Sequence, residues 1–249
     1  MAQDNLFSTA SDAYKQFRPQ YPSALFQFLA QMSPSNSLAW DCGCGNGQAS
    51  VVLANYFQHV IATDVSTQQI AEAEKANNVQ YLISPAETID ADANSIDLIT
   101  VAQAIHWFNH PVFFTEVDRV LKPNGIFAAW GYQLLYSDSP LDSVIEKLHT
   151  EIVGPFWPKG RELLDEGYTK IPFIYPREQV PPFKMQCRWQ FSHLIGYLNT
   201  WSAVKAYENH HKENPIQPIL PEIQEAWGDK SQTKTVYWPL ILYVGKKPA

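Results

Sequence analysis

Apolar and polar positions alternate in blocks between residues 38 and 132, and the blocks predict strands that alternate with helices. Five apolar runs are typical of short buried strands: SLAW, HVIATDVS, VQYLIS, SIDLITVA and IFAAWGY. Helices are predicted in ASVVLANYF, TQQIAEAEKAN and HPVFFTEVDRVLKPNG, with a further one before the first strand, from about Tyr21 to Met32. This alternation is typical of βαβ units, so we expect a parallel sheet that binds its ligand at the carboxyl ends of the strands.

The alternation breaks after Tyr132. The segment 133–182 is rich in proline and contains PFWPKGR and IPFIYPREQ, so we interpret it as an insertion that caps the site. Beyond it, FKMQCRWQF is predicted to be a strand and SHLIGYLNTWSAVKAY a helix with Ser192 as its N-cap. LPEIQEAWG is predicted to be a helix that ends at Gly228, and TVYWPLILYVG is predicted to be the last strand.

Length, charge and cysteine content exclude several classes of function. A length of 249 residues fits one α/β domain with an insertion, or two small domains. The formal net charge of −7 and the lack of a basic run argue against nucleic acid as the main partner. The cysteines Cys42, Cys44 and Cys187 fit neither a disulfide framework nor a zinc pattern, so we expect reduced thiols and no metal site. With no signal peptide and no apolar run of roughly 18 residues, we expect a cytoplasmic protein that does not bind membranes.

The segment DCGCGNG, directly after the first predicted strand, carries the candidate chemistry. A dinucleotide fingerprint needs G-x-G-x-x-G, whereas here Gly43, Gly45 and Gly47 alternate, and Asp41 would repel a pyrophosphate. No Gly-Lys-Ser/Thr follows, so a P-loop is excluded. An ammonium and a sulfonium would instead be attracted to Asp41, and S-adenosylmethionine bears both groups. Asp64, about 20 residues further on, is suited to accept hydrogen bonds from both ribose hydroxyls.

Further segments carry a family resemblance. In chain order they are DCGCGNG, ATDVS, SPAETI, SIDLITVAQAIHWF and RVLKPNGIFAAWGY, and with them the chain resembles the class I S-adenosylmethionine-dependent methyltransferases over nearly all its length. Within that group, YKQFRPQYP, AQAIHWF, AAWGY and YLNTWSAVKAY are similar to the branch that contains the fungal trans-aconitate methyltransferase.

The resemblance implies a Rossmann-like α/β fold. Its seven-stranded mixed sheet would have the order 3-2-1-4-5-7-6, with the seventh strand antiparallel, helices on both faces and a cap insertion. FKMQCRWQF would be strand six and TVYWPLILYVG strand seven. We therefore expect a single domain over residues 1–249, with an N-terminal lid and helix in residues 1–36 and the substrate cap in residues 133–182.

The resemblance also implies roles for the residues at the matching positions. At the methionine moiety, Gly43, Gly45 and Gly47 would line the chain, Asp41 would lie behind the ammonium, and Gln103 and Ala104 would lie at the end. Asp64 would hold the ribose. At the adenine, Val65 would lie against the ring, and Ala86 and Glu87 would lie at its edge.

Two segments of the expected cofactor site need separate treatment. Many relatives carry an Asp before the Ala-Glu pair, and this chain has Pro85 there, so adenine recognition would depend on Glu87 or on backbone carbonyls. The N-terminal segment AYKQFRPQYP is expected to fold over the cofactor as a lid, with Tyr14 and Arg18 pointing inward. For Arg18, a surface ion pair is an equal alternative.

The expected reaction is methyl transfer to a small molecule, and His106 separates two mechanisms. An acceptor hydroxyl or amine, including that of a lipid-like molecule, needs a base, and a histidine with a pKa near 6.5 is suited to that task. A carboxylate is already ionised and needs no base, so His106 would then orient the acceptor or only pack. Trp107 and Tyr132 are the other catalytic candidates, by positioning. Aromatic faces for the sulfonium could come from Tyr14, Trp107, Trp130 and Tyr132, and for each of them packing in the core is at least an equal alternative.

O-methylation of a carboxylate is the favoured expectation, in a monomer or homodimer. A carboxylate would be held by a cation, and the candidates are Arg18, Arg161, Arg177, Lys184 and Arg188. Other interpretations stay open. The glycine segment could serve only to begin a helix, the protein could bind the cofactor without turnover, or it could be a nicotinamide dehydrogenase, which the glycine spacing and Asp41 oppose.

Overall fold

The computed structural model describes residues 18–249, so the predicted lid residue Tyr14 lies outside the described part of the chain. Two compact units are present. We call residues 21–132, 162–183 and 240–249 the sheet unit, and residues 18–20, 133–161 and 184–239 the helical unit. The segment 133–182, predicted to be a substrate cap, contributes to both units, and its role as a cap stays a prediction.

Seven strands form one sheet in the order β3-β2-β1-β4-β5-β7-β6. They are β1 (Leu38–Cys42), β2 (His59–Asp64), β3 (Val79–Ile83), β4 (Ile96–Ala102), β5 (Leu121–Tyr132), β6 (Lys184–Trp189) and β7 (Lys234–Lys246). The first five strands pair in parallel, whereas β7 runs antiparallel to both β5 and β6. The predicted Rossmann-like sheet, with its strand order and antiparallel seventh strand, is confirmed.

Helices connect the strands. They are α1 (Ser23–Met32), α2 (Ser50–Leu53), α3 (Thr67–Ala71), α4 (His110–Val120), α5 (Leu141–Lys147), α6 (Glu162–Asp165), α7 (Phe191–Asn199), α8 (Ser202–His211) and α9 (Ile216–Trp227). As predicted, α9 ends at Gly228, which takes a positive φ of 78°. Within residues 18–249, no helix combines the length and the apolar composition needed to cross a bilayer.

Several predicted helices differ from the structure in their bounds. Helix α2 covers only Ser50–Leu53 of its predicted segment, and α9 begins at Ile216, before the predicted start at Leu220. Helix α3 ends at Ala71, well before the end of its Ala- and Glu-rich segment, because tertiary hydrogen bonds override helix propensity there. The Glu74 N–H donates to the Asn46 carbonyl of the glycine segment, and the Tyr81 hydroxyl donates to the Glu74 carbonyl. Helix α4 passes directly into β5 at Leu121, so Pro123-Asn124-Gly125 lies within the strand, next to a register irregularity.

The predicted helix that follows β6 is divided into α7 and α8. The break falls at Thr200 and Trp201, and the Thr200 hydroxyl donates to the Tyr197 carbonyl within the preceding turn. The N-cap residue of α7 is Gln190 and its side chain makes no capping bond, so the prediction of Ser192 as the cap is wrong.

Apolar side chains cover both faces of the sheet in the sheet unit. Phe127 and Ala129 of β5 face a cluster that includes Phe113 and Val117 of α4. The alternate β5 residues face a second cluster, which contains Ala128, Trp130, Leu25, Phe26, Leu29 and Leu53. Because both faces are buried, the inner strands read as nearly continuous apolar runs, which is why the sequence predicted them well.

The helical unit has its own aromatic core. The Trp238 indole N–H of β7 donates to the Tyr197 hydroxyl of α7 at 3.0 Å, and both side chains are buried. Trp189 of β6 packs edge-on against Trp238, with ring centroids 5.0 Å apart. These ring contacts, together with the indole–hydroxyl hydrogen bond, hold α7 against β6 and the start of β7.

A buried carboxylate fastens the amino-terminal edge of the sheet. Asp97, at the start of β4, is fully buried and accepts hydrogen bonds from the Ser37 and Leu38 N–H groups that lead into β1. It also accepts a hydrogen bond from the Ser35 hydroxyl at 2.7 Å and forms an ion pair with Lys122 of β5 at 2.8 Å. One side chain therefore links three neighbouring strands.

We predict that Asp97→Ala lowers the free energy of unfolding by about 3 kcal/mol, because it leaves buried donors and a partly buried ammonium without their partner. Urea denaturation measures the change. The control Asp90→Ala, at an exposed acid of the same unit, should stay within about 0.5 kcal/mol of the unchanged protein. Equal stabilities for the two variants would contradict the role given to Asp97.

Candidate functional site

The glycine segment forms the turn between β1 and α2, at the carboxyl-terminal edge of the parallel strands. Gly43, Gly45 and Gly47 all have positive φ, of 68°, 54° and 83°. A Cβ atom on Gly43 would lie 2.6 Å from Cβ of Ala104, and a Cβ atom on Gly47 would lie 2.2 Å from the Tyr81 hydroxyl. Only glycine satisfies both the backbone conformation and the close packing at these two positions.

Asp64, at the end of β2, is tied to the glycine turn. Its Oδ2 accepts a hydrogen bond from the Gly45 N–H at 2.8 Å, and its Oδ1 accepts one from the Ser66 N–H at 2.9 Å. Each carboxylate oxygen can accept more than one hydrogen bond, so the fixed carboxylate retains capacity for two hydroxyl donors. This arrangement suits the ribose diol of the expected cofactor.

Asp41, at the end of β1, is fully buried. Its Oδ2 accepts a hydrogen bond from the Ser50 hydroxyl of α2 at 2.6 Å, and its Oδ1 accepts one from the Thr100 hydroxyl of β4 at 3.0 Å. Burial raises the pKa of Asp41 to about 6, against the lowering effect of the two hydrogen bonds. Asp41 therefore lies behind the glycine turn as a buried charge held by neutral hydroxyls.

Some residues at the expected adenine position are exposed, and others are buried or hydrogen-bonded within the protein. Val65 is 61% exposed and Ile83, at the end of β3, is 58% exposed, so two neighbouring strands end in uncovered apolar side chains. Ala86 is buried in the core of the sheet unit. Glu87 Oε1 accepts a hydrogen bond from the Asn109 N–H at 2.9 Å, which ties it to the start of α4. An aromatic base would cover the exposed pair, which the sequence prediction included only in part.

Gln103 and Ala104 follow β4 at the same edge. Gln103 has a positive φ of 56°, its N–H donates to the Trp130 carbonyl at 2.8 Å, and its amide donates to the Tyr132 carbonyl at 3.0 Å. A non-glycine residue in this conformation is uncommon and is typical of functional turns. The turn places Ala104 against Gly43, so the end of β4 and the glycine turn are packed together.

His106 and Trp107 lie in a single 3₁₀ turn, Ile105–Trp107, directly after Gln103 and Ala104. His106 is buried, its ring centroid lies 4.4 Å from that of Trp107, and its Nδ1 shares a hydrogen bond of 3.2 Å with the Tyr168 hydroxyl. Tyr168 belongs to the sheet unit and is buried as well. The sequence prediction did not include Tyr168.

Tyr132 and Trp130, at the end of β5, pack against the N-terminal part of the sheet unit. The Tyr132 ring lies 6.5 Å from that of Tyr21, and Trp130 is fully buried with Phe26 and Tyr21 edge-on at 5.8 and 5.6 Å. Trp130 is thus a core residue of this unit. The structure brings His106 and Trp107 together and gives Tyr132 a separate aromatic neighbourhood.

The candidate cations have different surroundings within their own units. In the helical unit, the Arg18 guanidinium donates to the Thr200 carbonyl at 3.5 Å and lies over the Tyr197 ring at 5.2 Å. Lys184 lies over the Tyr237 ring at 4.8 Å. In the sheet unit, the Arg177 guanidinium donates to the Leu242 carbonyl.

Arg161 is held in an aromatic setting of the helical unit. Its guanidinium lies 3.9 Å from the centroid of the Trp157 ring, and Nη2 donates to Nε2 of His149 at 3.4 Å. Burial, followed by the charge of Arg161, lowers the pKa of His149 to about 4, so His149 is neutral at physiological pH.

The cysteines of the glycine segment do not supply a nucleophile. Cys42 and Cys44 are buried, and burial raises the pKa of each thiol well above its ordinary range. Both thiols therefore stay protonated and act as small packing side chains. Among residues 18–249, no group of three or more side chains is arranged to hold a metal ion.

Comparisons with known proteins show which family the chain resembles. A family model described as a methyltransferase domain matches residues 40–129. A Dictyostelium discoideum protein whose name places it among the methyltransferases is 36% identical over 256 residues, which cover 98% of this chain and 95% of that one. A Saccharomyces cerevisiae protein named as an S-adenosylmethionine-dependent methyltransferase is 32% identical over 128 residues, 48% of this chain and 44% of that one.

A solved structure is also similar over nearly the whole chain. It is that of an Anaeromyxobacter dehalogenans protein assigned as a type II methyltransferase, with 38% identity, a TM-score of 0.88, and coverage of 94% of this chain and 100% of that one. This likeness supports the fold, whose sheet has the strand order 3-2-1-4-5-7-6. The chain belongs to the class I S-adenosylmethionine-dependent methyltransferases.

Proposed function

We propose that the glycine turn, Asp64 and the exposed pair Val65 and Ile83 hold S-adenosylmethionine in the sheet unit, and that the enzyme methylates a carboxylate of a small molecule. The observation that carries the first part is the Asp64 carboxylate, fixed by the Gly45 and Ser66 N–H groups with capacity for the ribose hydroxyls. Gly43, Gly47, Gln103 and Ala104 would line the methionine moiety, with Ala86 and Glu87 at the adenine edge. Tyr14 and Arg18 remain proposed lid residues.

When bound, the cofactor supplies an electrophilic methyl group on a sulfonium. The protein has to orient the acceptor oxygen in line with the sulfur–carbon bond and to exclude water. An ionised carboxylate requires no proton transfer, so His106 and Trp107 would act by positioning. Methylation of a hydroxyl or amine is the alternative in which His106 would be the base.

The acceptor class is supported by the sequence resemblance to the branch with the fungal trans-aconitate methyltransferase, which we propose as the nearest branch. We further propose a cytoplasmic protein, in agreement with three free cysteines. The experiment is a mass-spectrometric screen of carboxylic acids, alcohols and amines with methyl-labelled S-adenosylmethionine. Labelled methyl esters support the proposal, whereas products confined to alcohols or amines would overturn the carboxylate assignment.

Asp64→Ala is predicted to weaken the binding of S-adenosylhomocysteine by at least about 100-fold, since two hydrogen bonds to a charged group, at about 1.5–3 kcal/mol each, are lost. Isothermal titration calorimetry measures the affinity. Glu74→Gln, at an exposed acid that follows α3, is the matched control and should bind as the unchanged protein does. An Asp64→Ala variant with full affinity would show that the ribose is held elsewhere.

The raised pKa of Asp41 is a cost to folding that the bound cofactor would offset. The folded protein holds the Asp41 proton more tightly than the unfolded chain does, because its pKa is about 6 in the folded state against an ordinary value of 3.8. The stabilising contribution of protonated Asp41 is therefore fully present below about pH 4 and is lost as the pH rises through 6. An ammonium bound close to the Asp41 carboxylate would favour its ionised form and reverse this loss.

Asp41→Asn should accordingly raise the stability of the ligand-free protein relative to the unchanged protein more at pH 7.5 than at pH 4. The difference between the two pH values should be about 3 kcal/mol, from about two pKa units at 1.36 kcal/mol each. Denaturant titrations at both pH values measure it. The same variant should bind S-adenosylmethionine weakly, with an affinity that no longer rises between pH 5 and 7. If the stability difference between the variant and the unchanged protein did not change with pH, Asp41 would stay ionised in the folded protein.

A further inference from the structure

His106 and Tyr168 form a buried pair whose function the family assignment leaves open. Their hydrogen bond of 3.2 Å joins the Tyr168 hydroxyl to Nδ1 of His106, and the two rings lie nearly parallel, at 25°, with centroids 6.0 Å apart. Both side chains are more than nine-tenths buried. A neutral imidazole carries one proton, so the direction of this hydrogen bond decides which nitrogen bears it.

The fold secures the position of the Tyr168 hydroxyl. Tyr168 follows helix α6 and has a positive φ of 60°, a conformation that is a genuine outlier for a bulky side chain. Its N–H donates to the Leu163 carbonyl at 2.8 Å, which closes the end of that helix. A strained backbone of this kind persists only where the surrounding structure holds it, and such positions cluster at functional sites.

Gly131 of β5 provides the space that the hydroxyl occupies. A Cβ atom at this position would lie 2.6 Å from the Tyr168 hydroxyl, 2.5 Å from Cδ1 of Leu164 and 3.0 Å from Oε1 of Gln103. The same glycine therefore allows both the Tyr168 hydroxyl and the Gln103 side chain to approach the end of β5. Gln103, His106 and Tyr168 thus meet at the carboxyl ends of β4 and β5.

The chemistry of the two groups sets the direction of the hydrogen bond. A phenol is a much stronger acid than the N–H of a neutral imidazole, and an imidazole nitrogen is a much better acceptor than a phenol oxygen. The favoured arrangement is therefore donation from the Tyr168 O–H to Nδ1 of His106. Nδ1 is then the acceptor, and the ring proton resides on Nε2.

We propose that Tyr168 is a positioning residue that holds His106 as the Nε2–H tautomer, so that His106 donates a hydrogen bond to an anionic acceptor oxygen instead of removing a proton. The proposal rests on the proposed function and deepens it, because a donor at this place suits a carboxylate acceptor. In the transfer, the carboxylate oxygen forms a bond to the methyl carbon, the carbon–sulfur bond breaks, and its electron pair stays on sulfur. No proton moves.

The first test reads the tautomer directly. Nitrogen-15 NMR of histidine-labelled protein with S-adenosylhomocysteine should show His106 with a protonated Nε2 and an acceptor-type Nδ1. In Tyr168→Phe the ring is kept and the donor is lost, so the signal should change towards a mixture of tautomers. Tyr175→Phe is the matched control, because the Tyr175 hydroxyl in the same segment donates to Asp118 instead. A protonated Nδ1 in the unchanged protein would overturn the proposal.

The second test uses amides that imitate one ring nitrogen each. His106→Gln places an N–H donor near the position of Nε2 and cannot act as a base, whereas His106→Asn places its amide near Nδ1. We expect the Gln variant to retain most turnover of a carboxylate acceptor, while the Asn and Ala variants show KM values raised about tenfold, the loss of one hydrogen bond. Equal and severe losses of kcat in all three variants would show that a base is required.

The two tests separate this inference from the proposed function. The tautomer spectrum is recorded without any acceptor, so it tests the role of Tyr168 even if no carboxylate is methylated. If an Nε2–H spectrum is seen and no carboxylic acid in the screen is methylated, the acceptor assignment fails. If carboxylic acids are methylated and the spectrum shows a protonated Nδ1, the inference about Tyr168 fails.

Discussion

At the carboxyl end of β1 the chain leaves the sheet in a turn in which every second residue is glycine, and two carboxylates lie close behind it. The turn is possible because glycines occupy its left-handed positions and because the Gly45 N–H donates to Asp64. Asp41 is kept in the interior by the Ser50 and Thr100 hydroxyls, one from the helix that follows the turn and one from the neighbouring strand. Ala104, another residue of the proposed cofactor site, packs against Gly43 of this turn.

The buried carboxylates at the two edges of the sheet have different partners. At the amino-terminal edge, Asp97 has a cation, a hydroxyl and two backbone N–H groups as partners, so its charge is compensated within the protein. At the carboxyl-terminal edge, the oxygens of Asp41 accept hydrogen bonds from two hydroxyls, and burial raises its pKa to about 6. A buried charge with incomplete compensation is costly by itself, and that cost is offset when a cation binds near it. The compensated carboxylate thus lies at one edge of the sheet, and the incompletely compensated one lies at the edge where we propose that the cofactor binds.

Sequence patterns predicted the sheet because its inner strands are buried on both faces, so their apolar runs are nearly unbroken. The glycine turn and the role of Asp64 could also be predicted, since a run of alternating glycines and an acid at the end of a strand are visible in the sequence. Helix α3 was predicted too long because its end depends on the hydrogen bond from Glu74 to Asn46, a tertiary contact. The division between α7 and α8 at Thr200 had no proline or glycine to announce it.

Tyr168 could not be predicted from the sequence either, because its role also depends on a tertiary contact. Its segment is separated by more than 60 residues from His106 and lies in a proline-rich stretch without periodicity, so nothing local relates the phenol to the imidazole. Thr100 is visible in the sequence as a hydroxyl between the apolar residues Ile99 and Val101 of β4, and a buried hydroxyl implies a buried partner. The interpretation of His106 changes most with this contact. From the sequence alone, His106 could be either a base or a positioning residue. In the structure its neighbour, the Tyr168 hydroxyl, is a better acid than the imidazole N–H. The hydroxyl therefore directs the ring proton to Nε2, and hydrogen-bond donation becomes the favoured chemistry of His106.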